Sequence, residues 1–503
     1  MRRRDGLRDT ILTQRSRNPR ATSRAASVSS FVMTAPRRSL MVALMATLLA
    51  ALALAAVPAA HASTGQEVTF EAPRDLFDPA QRDAAFSEID SLGAHALRVV
   101  LYWQDVAPEP ASRIKPKLDM ADPASYDWSK YQPVLDEARA RGWTVQVTAS
   151  GPVPRWATNG ARDTTTRPSP NEFRMFMTAL SKHFGAEVTR WSIWNEPNHP
   201  QFLRPQYDSK QRPASPAIYR GLYAAALRGL ADAGDTKPVL MGETAPTGTG
   251  KDVAPLTFLR GALCLSDSYK KVGGCGKLRV DGYAHHAYTN RKGPLFKTTH
   301  PNDVMIGVLP RLVSALDKAA GAGVIAKRLP IYLTEFGIQS VPDPFFGVSL
   351  QRQAEYRSYS ERIAYYNSRV AAFSQYLLTD DRPKDDGSEQ QKYSGFESGL
   401  RTSAGKAKPA LDGFRLPLVA KKSGGSTKVA LWGLARPATA ATKVTVEQHQ
   451  IGGSWTKLKT ISTNSHGYWT ASASLGDAKR EWRVRWTDAQ GKEWTGPATR
   501  ALG

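Results

Sequence analysis

The chain has 503 residues, long enough for two or three domains. Lys and Arg outnumber Asp and Glu by 23, an excess that suits an acidic polysaccharide or an anionic cell surface as well as a merely solvated exterior; no basic-aromatic motif points to nucleic acid. The only two cysteines, Cys264 and Cys275, have no His pair near them, which argues against a zinc site and against a catalytic thiol.

Residues 1–62 read as a leader. Met41 to Val57 is almost wholly apolar, Arg37-Arg38 precede it and Ala60-His61-Ala62 follow, the pattern of a secretory signal peptide with a small-x-small cleavage site. The apolar core is short and Ala-rich for a membrane span, so no stable membrane insertion is expected after cleavage; an uncleaved anchor is the alternative. Residues 1–32 are Arg- and Ser-rich, and a start at Met33 gives an ordinary signal peptide. A secreted, extracellular chain meets an oxidising compartment, and Cys264 and Cys275 are then expected to form a disulfide.

Strands and helices alternate over residues 63–414. Glu67 to Glu71 reads as a first strand, residues 79–92 as an amphipathic helix, and Ala96 to Trp103 as a β-branched and aromatic second strand carrying Arg98. A helix over Tyr126 to Arg141 leads to a third strand, Trp143 to Thr148, and a Pro-rich loop that holds Trp156. Ser169-Pro170-Asn171-Glu172 has the cap and early proline of a helix start. Val188 to Trp194 is the fourth strand and Pro238 to Thr244 the fifth, ending at Glu243 after the helix Pro216 to Ala233. The sixth, Val280 to Tyr288, ends in the polar run His285-His286-Ala287-Tyr288. Regular alternation turns His286 and Tyr288 to one side and His285 to the other. A helix within Asn302 to Gly321, a seventh strand ending at Glu335, a helix over Leu350 to Asn367 and an eighth strand, Val370 to Leu378, complete an α/β pattern of eight units, a (β/α)8 TIM barrel.

Residues 416–424 read as a linker into a tail domain, 415–503, of short alternating strands separated by Gly- and Ser-containing turns, an immunoglobulin- or fibronectin-like β-sandwich. It holds Trp432, Trp455, Trp469, Trp482, Trp486 and Trp494. Two readings stand: core filling, or a carbohydrate-binding face that contacts a cell wall or glycan.

The chemistry concentrates at two strand ends. Trp191-Ser192-Ile193-Trp194-Asn195-Glu196-Pro197-Asn198 and Leu329 to Gly337 each bring a short apolar strand to a single Glu where a loop begins, and in a barrel that is the active-site face. Glu196 and Glu335 stand 139 residues apart, about three βα units at roughly 40 residues each. Two carboxylates facing across a barrel mouth are the machinery of glycoside hydrolysis.

In these motifs the sequence resembles the retaining glycoside hydrolases of clan A, which include families 5 and 39, over about 350 residues. The resemblance implies that Glu196 is the acid/base, kept protonated, and Glu335 the nucleophile. It implies that Arg98 holds Glu335 ionised, that His286 and Tyr288 lie beside the two carboxylates, and that Tyr288 orients Glu335. Asn195 would bond the sugar 2-hydroxyl. Trp156 would offer a stacking platform or fill a structural place, and Trp103 belongs with the substrate-binding group. The strand-8 tryptophan of many relatives is absent; Phe373, Gln375 and Tyr376 stand there instead, which puts a cellulase-like subsite in doubt. No cofactor and no metal is implied, and the partner is a carbohydrate substrate. The expected activity is a secreted retaining glycosidase cleaving β-O-glycosidic bonds. The alternatives are a polysaccharide-binding barrel without catalysis and a transglycosylase using the same two Glu.

Overall fold

The computed structural model describes residues 65–503 except 161–162, 386, 423–426 and 477–478, so the leader lies outside the described residues. Eight parallel strands close into a barrel in sequence order: β1 (Glu67–Glu71), β2 (Ala96–Tyr102), β3 (Thr144–Ser150), β4 (Arg190–Ile193), β5 (Val239–Thr244), β6 (Gly282–His286), β7 (Ile331–Glu335) and β8 (Val370–Tyr376), with β8 pairing back onto β1. Buried β-branched and aromatic residues fill the layer between strands and helices. The helix Pro170–Phe184 starts as its sequence dictates: Ser169 accepts a hydrogen bond from the Glu172 N–H, and Pro170 occupies the first turn.

Several helices are shorter than their periodicity predicts. The helix at Tyr126 to Arg141 begins only at Gln132, with Pro133 in its first turn. The helix after β6 divides into a 3-10 turn, Ile306–Val308, and a helix, Pro310–Gly321, since Pro310 has no N–H to continue a preceding turn.

The second unit is mostly β. Strands β9 (Leu418–Lys422), β10 (Lys428–Leu434) and β13 (Tyr468–Ser474) form one sheet; β11 (Lys443–Gln450), β12 (Thr456–Ser462), β14 (Arg480–Thr487) and β15 (Glu493–Thr495) form the other. β16 (Thr499–Leu502) pairs with β14 on one side and, in parallel, with β9 on the other, so the two sheets run into one another. The stretch 416–424 is therefore not a plain linker. Leu418, Val419 and Ala420 are all buried between β10 and β16, and the Lys-Lys-Ser-Gly-Gly run after them hides that apolar triplet. Along β14, Trp482, Val484 and Trp486 point into the core while Arg483 and Arg485 alternate outward. The barrel helix Leu350–Tyr365 packs against this unit through Tyr359 and Tyr365, which join Val419, Trp432 and Tyr468 in one apolar cluster. Cys264 and Cys275 are disulfide-bonded, with Cα atoms 6.3 Å apart.

Candidate active site

The carboxyl ends of β4, β5, β6 and β7 converge on one polar cluster. His286 and Glu335 are register neighbours on β6 and β7. A shift of register in β5 between Gly242 and Thr244 re-aims Glu243. It depends on glycine, since Gly242 has φ +115° and a Cβ there would lie 2.4 Å from the Ala284 carbonyl oxygen. Trp194, Glu196 and Glu243 all hold positive φ, 70°, 40° and 47°, so the chain leaves β4 and β5 through strained turns. The Glu196 N–H donates to the Glu243 carbonyl at 3.0 Å and locks the two turns together.

Arg98, 1% exposed, is the hub. Its Nε and Nη2 donate to the Glu243 carboxylate at 3.4 and 2.6 Å, Nη2 also to Asn195 Oδ1 at 2.6 Å, and Nη1 to Glu335 Oε2 at 3.0 Å and to Glu71 Oε2. All five N–H groups are thus engaged, on three carboxylates and one amide. Glu243 receives two further hydrogen bonds, from Gln146 (2.9 Å) and Thr148 (2.8 Å), and is wholly buried, an anchor for the guanidinium rather than a group facing the cleft.

Glu335 Oε1 accepts from the Tyr288 hydroxyl at 2.7 Å. His286 Nδ1 lies 2.9 Å from Glu196 Oε1 and 3.5 Å from Glu335 Oε2. One oxygen of each carboxylate and one ring nitrogen of His286 sit within 4.8 Å of one another. That trio has the donor types of a divalent-cation site, but its atoms already serve each other, and a fixed guanidinium stands 3.0 Å from Glu335. His285 turns away, bonded to Thr244 (2.9 Å) and the Val304 carbonyl (2.7 Å), and burial pushes it down to about 4, a neutral structural imidazole.

The expectation that Glu196 is protonated at rest needs correction. Burial pushes its carboxyl up, but the hydrogen bond and charge of His286 outweigh burial and hold it below the ordinary value. Burial pulls His286 down, and the two carboxylates, Glu335 foremost, more than restore it, so its net displacement is upward. The proton of the pair therefore rests on the imidazole.

The structure brings together Glu196, Glu335, Arg98, Asn195, His286 and Tyr288. It does not bring in Trp103 or Trp156. Trp103 is fully buried, stacked on Phe176 at 5.0 Å, and Trp156 meets its edge at 5.8 Å while donating its indole N–H to the Pro108 carbonyl at 3.0 Å. Both rings fill the layer behind the β2 and β3 ends, and no described contact joins either to the carboxylates. Asn198 is likewise a clamp, bonding Ala245 and the Val253 carbonyl. Two further residues belong to the site. Glu71, at the end of β1, meets Arg98, and Phe396, from the loop after β8, packs 6.0 Å from Tyr288 and 5.0 Å from Tyr376. Glu71 obeys the same strand-end rule that singles out Glu196 and Glu335; Phe396 has no signal in the sequence.

In the tail, Trp432, Trp469, Trp482 and Trp486 are buried, Trp455 lies between His449 (3.8 Å) and Arg483 (4.3 Å), and Trp494 is covered by Arg415 and Lys492, each 3.8 Å from its ring. Core filling and cation–π capping account for all six.

No family model matches the sequence, and no curated protein matches it. Among solved structures the chain is similar to a glucosidase from Croceicoccus marinus (11% identity, 84% of this chain and 96% of that one, TM-score 0.49). It is similar also to a β-glucuronidase from Bacteroides uniformis (10%, 87% and 46%, 0.46) and a β-glucosidase from Exiguobacterium marinum (14%, 65% and 82%, 0.42). The chain thus spans under half of the glucuronidase. At these scores and identities none of the three assigns an activity.

Proposed function

We propose that this protein is a retaining glycoside hydrolase that cleaves β-O-glycosidic bonds of an oligo- or polysaccharide by double displacement. The observation that carries the reading is the approach of Glu196 and Glu335, on the ends of β4 and β7, to within 4.8 Å oxygen to oxygen. Retaining enzymes hold their two carboxyl groups about 5–5.5 Å apart, and inverting enzymes leave roughly 6.5–9.5 Å for a water.

Glu335 attacks the anomeric carbon as the bond to the leaving oxygen breaks. Arg98 and Tyr288 fix its two oxygens and stabilise its charge. His286 passes its proton to Glu196 across 2.9 Å as Glu196 delivers one to the leaving oxygen, so the pair acts as one acid and is left as a neutral imidazole and a carboxylate. In the second half Glu196 removes a proton from water, the water oxygen bonds the anomeric carbon, and Glu335 departs as carboxylate. Asn195, its Oδ1 engaged by Arg98, keeps its amide N–H for the sugar. We infer that the reaction takes place outside the cytoplasm, a reading supported by the Cys264–Cys275 disulfide and the sequence of residues 33–62.

The test is trapping with 2-deoxy-2-fluoro glycosides of gluco, galacto, manno and xylo configuration, read by intact mass and peptide mapping. A single adduct on Glu335, missing from Glu335→Gln, is expected. An adduct on another carboxylate, or product released with inverted configuration, overturns the proposal.

A further inference from the structure

Three carboxylates meet one guanidinium at the barrel mouth, and the number of donors each receives is unequal. Glu243 takes four, two of them from Arg98. Glu335 takes one from Arg98 and one from Tyr288, with His286 Nδ1 at 3.5 Å. Glu71 takes one, from the same Arg98 Nη1 that serves Glu335, and no other described donor reaches it. One positive charge does not balance three buried negative ones, and an excess anion in low dielectric is removed by protonation. The proton goes to the carboxylate whose ionised form has the least support.

We propose that Glu71 is a positioning residue, holding the one proton of this carboxylate cluster and thereby leaving the positive charge of Arg98 to Glu335 and Glu243. The inference rests on the reading of Glu335 as nucleophile. The neighbours of Glu71 agree with it. It lines a cavity of about 130 Å³ with Arg98, Tyr102, Tyr131, Tyr376 and Lys130. Of these only Arg98 offers it a cation, because Lys130 is paired with Asp105 at 2.6 Å. Burial pushes the Glu71 carboxyl up to about 8; Arg98 and His286 oppose that, and the charge of Glu335 adds to it. Glu71 is therefore neutral below about pH 8 and an anion above it, where it competes with Glu335 for the positive charge of Arg98. His286 is also held above its ordinary value, so a variant is needed to separate the two.

The experiment is an infrared titration of the carboxylic acid C=O band in the full chain, comparing the parent with Glu71→Gln and Glu335→Gln. Two other buried carboxyls, Glu397 (about 7) and Asp380 (about 6), contribute to the band, so the parent-minus-variant difference isolates Glu71. A component that disappears near pH 8 in the parent, is absent from Glu71→Gln, and titrates at lower pH in Glu335→Gln is the expected result. Superimposable titrations of parent and Glu71→Gln, or a component indifferent to Glu335→Gln, overturn the proposal. With 4-nitrophenyl β-glycosides, Glu71→Gln should extend the alkaline limb of kcat/KM, and Glu71→Ala should lose activity at every pH. Coincident alkaline limbs in parent and Glu71→Gln also overturn it. Absence of turnover in the parent with every probe counts against the proposed glycosidase and leaves the infrared coupling to decide the role of Glu71.

Discussion

The molecule holds two buried charge clusters that are near inverses. At the barrel mouth one guanidinium, Arg98, serves three carboxylates. Where the helix Leu350–Tyr365 meets the tail, one carboxylate, Glu361, serves two guanidiniums, Arg357 and Arg436. Each is a local imbalance, and they are relieved in different ways. An excess carboxylate is neutralised by one proton at mild pH. An excess guanidinium has no such exit. Burial pulls Arg357 and Arg436 down to about 9, which still leaves both charged at neutral pH. Aromatic faces supply what water would: Arg357 lies over Phe373 (4.9 Å) and Phe414 (4.7 Å), and Arg436 over Phe414 (4.3 Å). Acid excess gives a cluster that exchanges protons, and base excess gives one that holds two units together.

Substitutions can break or sharpen that contrast. The largest effect is expected at the mouth. Glu335→Gln should lower kcat by on the order of 10⁶-fold, the scale of losing a covalent nucleophile, with the fold unchanged by circular dichroism. Next, Glu196→Gln should cost roughly 10²–10⁴-fold on substrates with a poor leaving group and much less on activated aryl glycosides, whose leaving oxygen needs no proton. At the other cluster the loss moves from rate to stability. Glu361→Ala strands two buried cations and should destabilise the protein by about 3–5 kcal/mol in urea unfolding, while turnover per folded molecule holds. A stability change under about 1 kcal/mol there would remove the contrast.

The smallest effect is expected at His286→Gln, roughly 1.5–3 kcal/mol for a lost charged hydrogen bond, and it should vary with pH. Glu196 is held low in the fold, so its contribution is complete above the ordinary carboxylate value of 4.5 and fades as pH falls through the lowered one. His286 is held high, so its contribution is complete below 6.5 and fades as pH rises through the raised one. The stability gap between parent and variant should therefore be widest between those values and narrow on both sides, as read from thermal melts across pH.

The barrel was legible because its strands announce themselves: short β-branched and aromatic segments such as Val99 to Leu101 and Trp191 to Trp194 have one fold when they alternate with helices eight times. The gathering of Glu196, Glu335, His286 and Tyr288 follows from the same regularity, since residues at the ends of neighbouring strands must converge. The place of Glu71 at a strand end was legible by that rule, but its role in the cluster was not. Its meaning depends on how many donors reach it, a property of three other strands. Trp103 and Trp156 misled for the complementary reason: an aromatic residue near a catalytic-face loop looks the same in sequence whether it faces a ligand or Phe176. Leu418 to Ala420 were obscured by the polar residues after them, although three consecutive apolar side chains suit a strand covered on both faces.

The order of strands in the tail has a consequence for its assembly. Among the described residues β16 is the last strand of the tail, and it joins the two sheets through Trp482↔Thr499 on one side and Ala501↔Ala420 on the other. As the polypeptide emerges from the ribosome, each sheet can form its antiparallel pairs early, yet the seam between them stays open until Thr499–Leu502 has appeared. The edge of β9 and the Glu481–Trp482 end of β14 wait unpaired during that interval, so this unit matures well after the barrel strands that precede it.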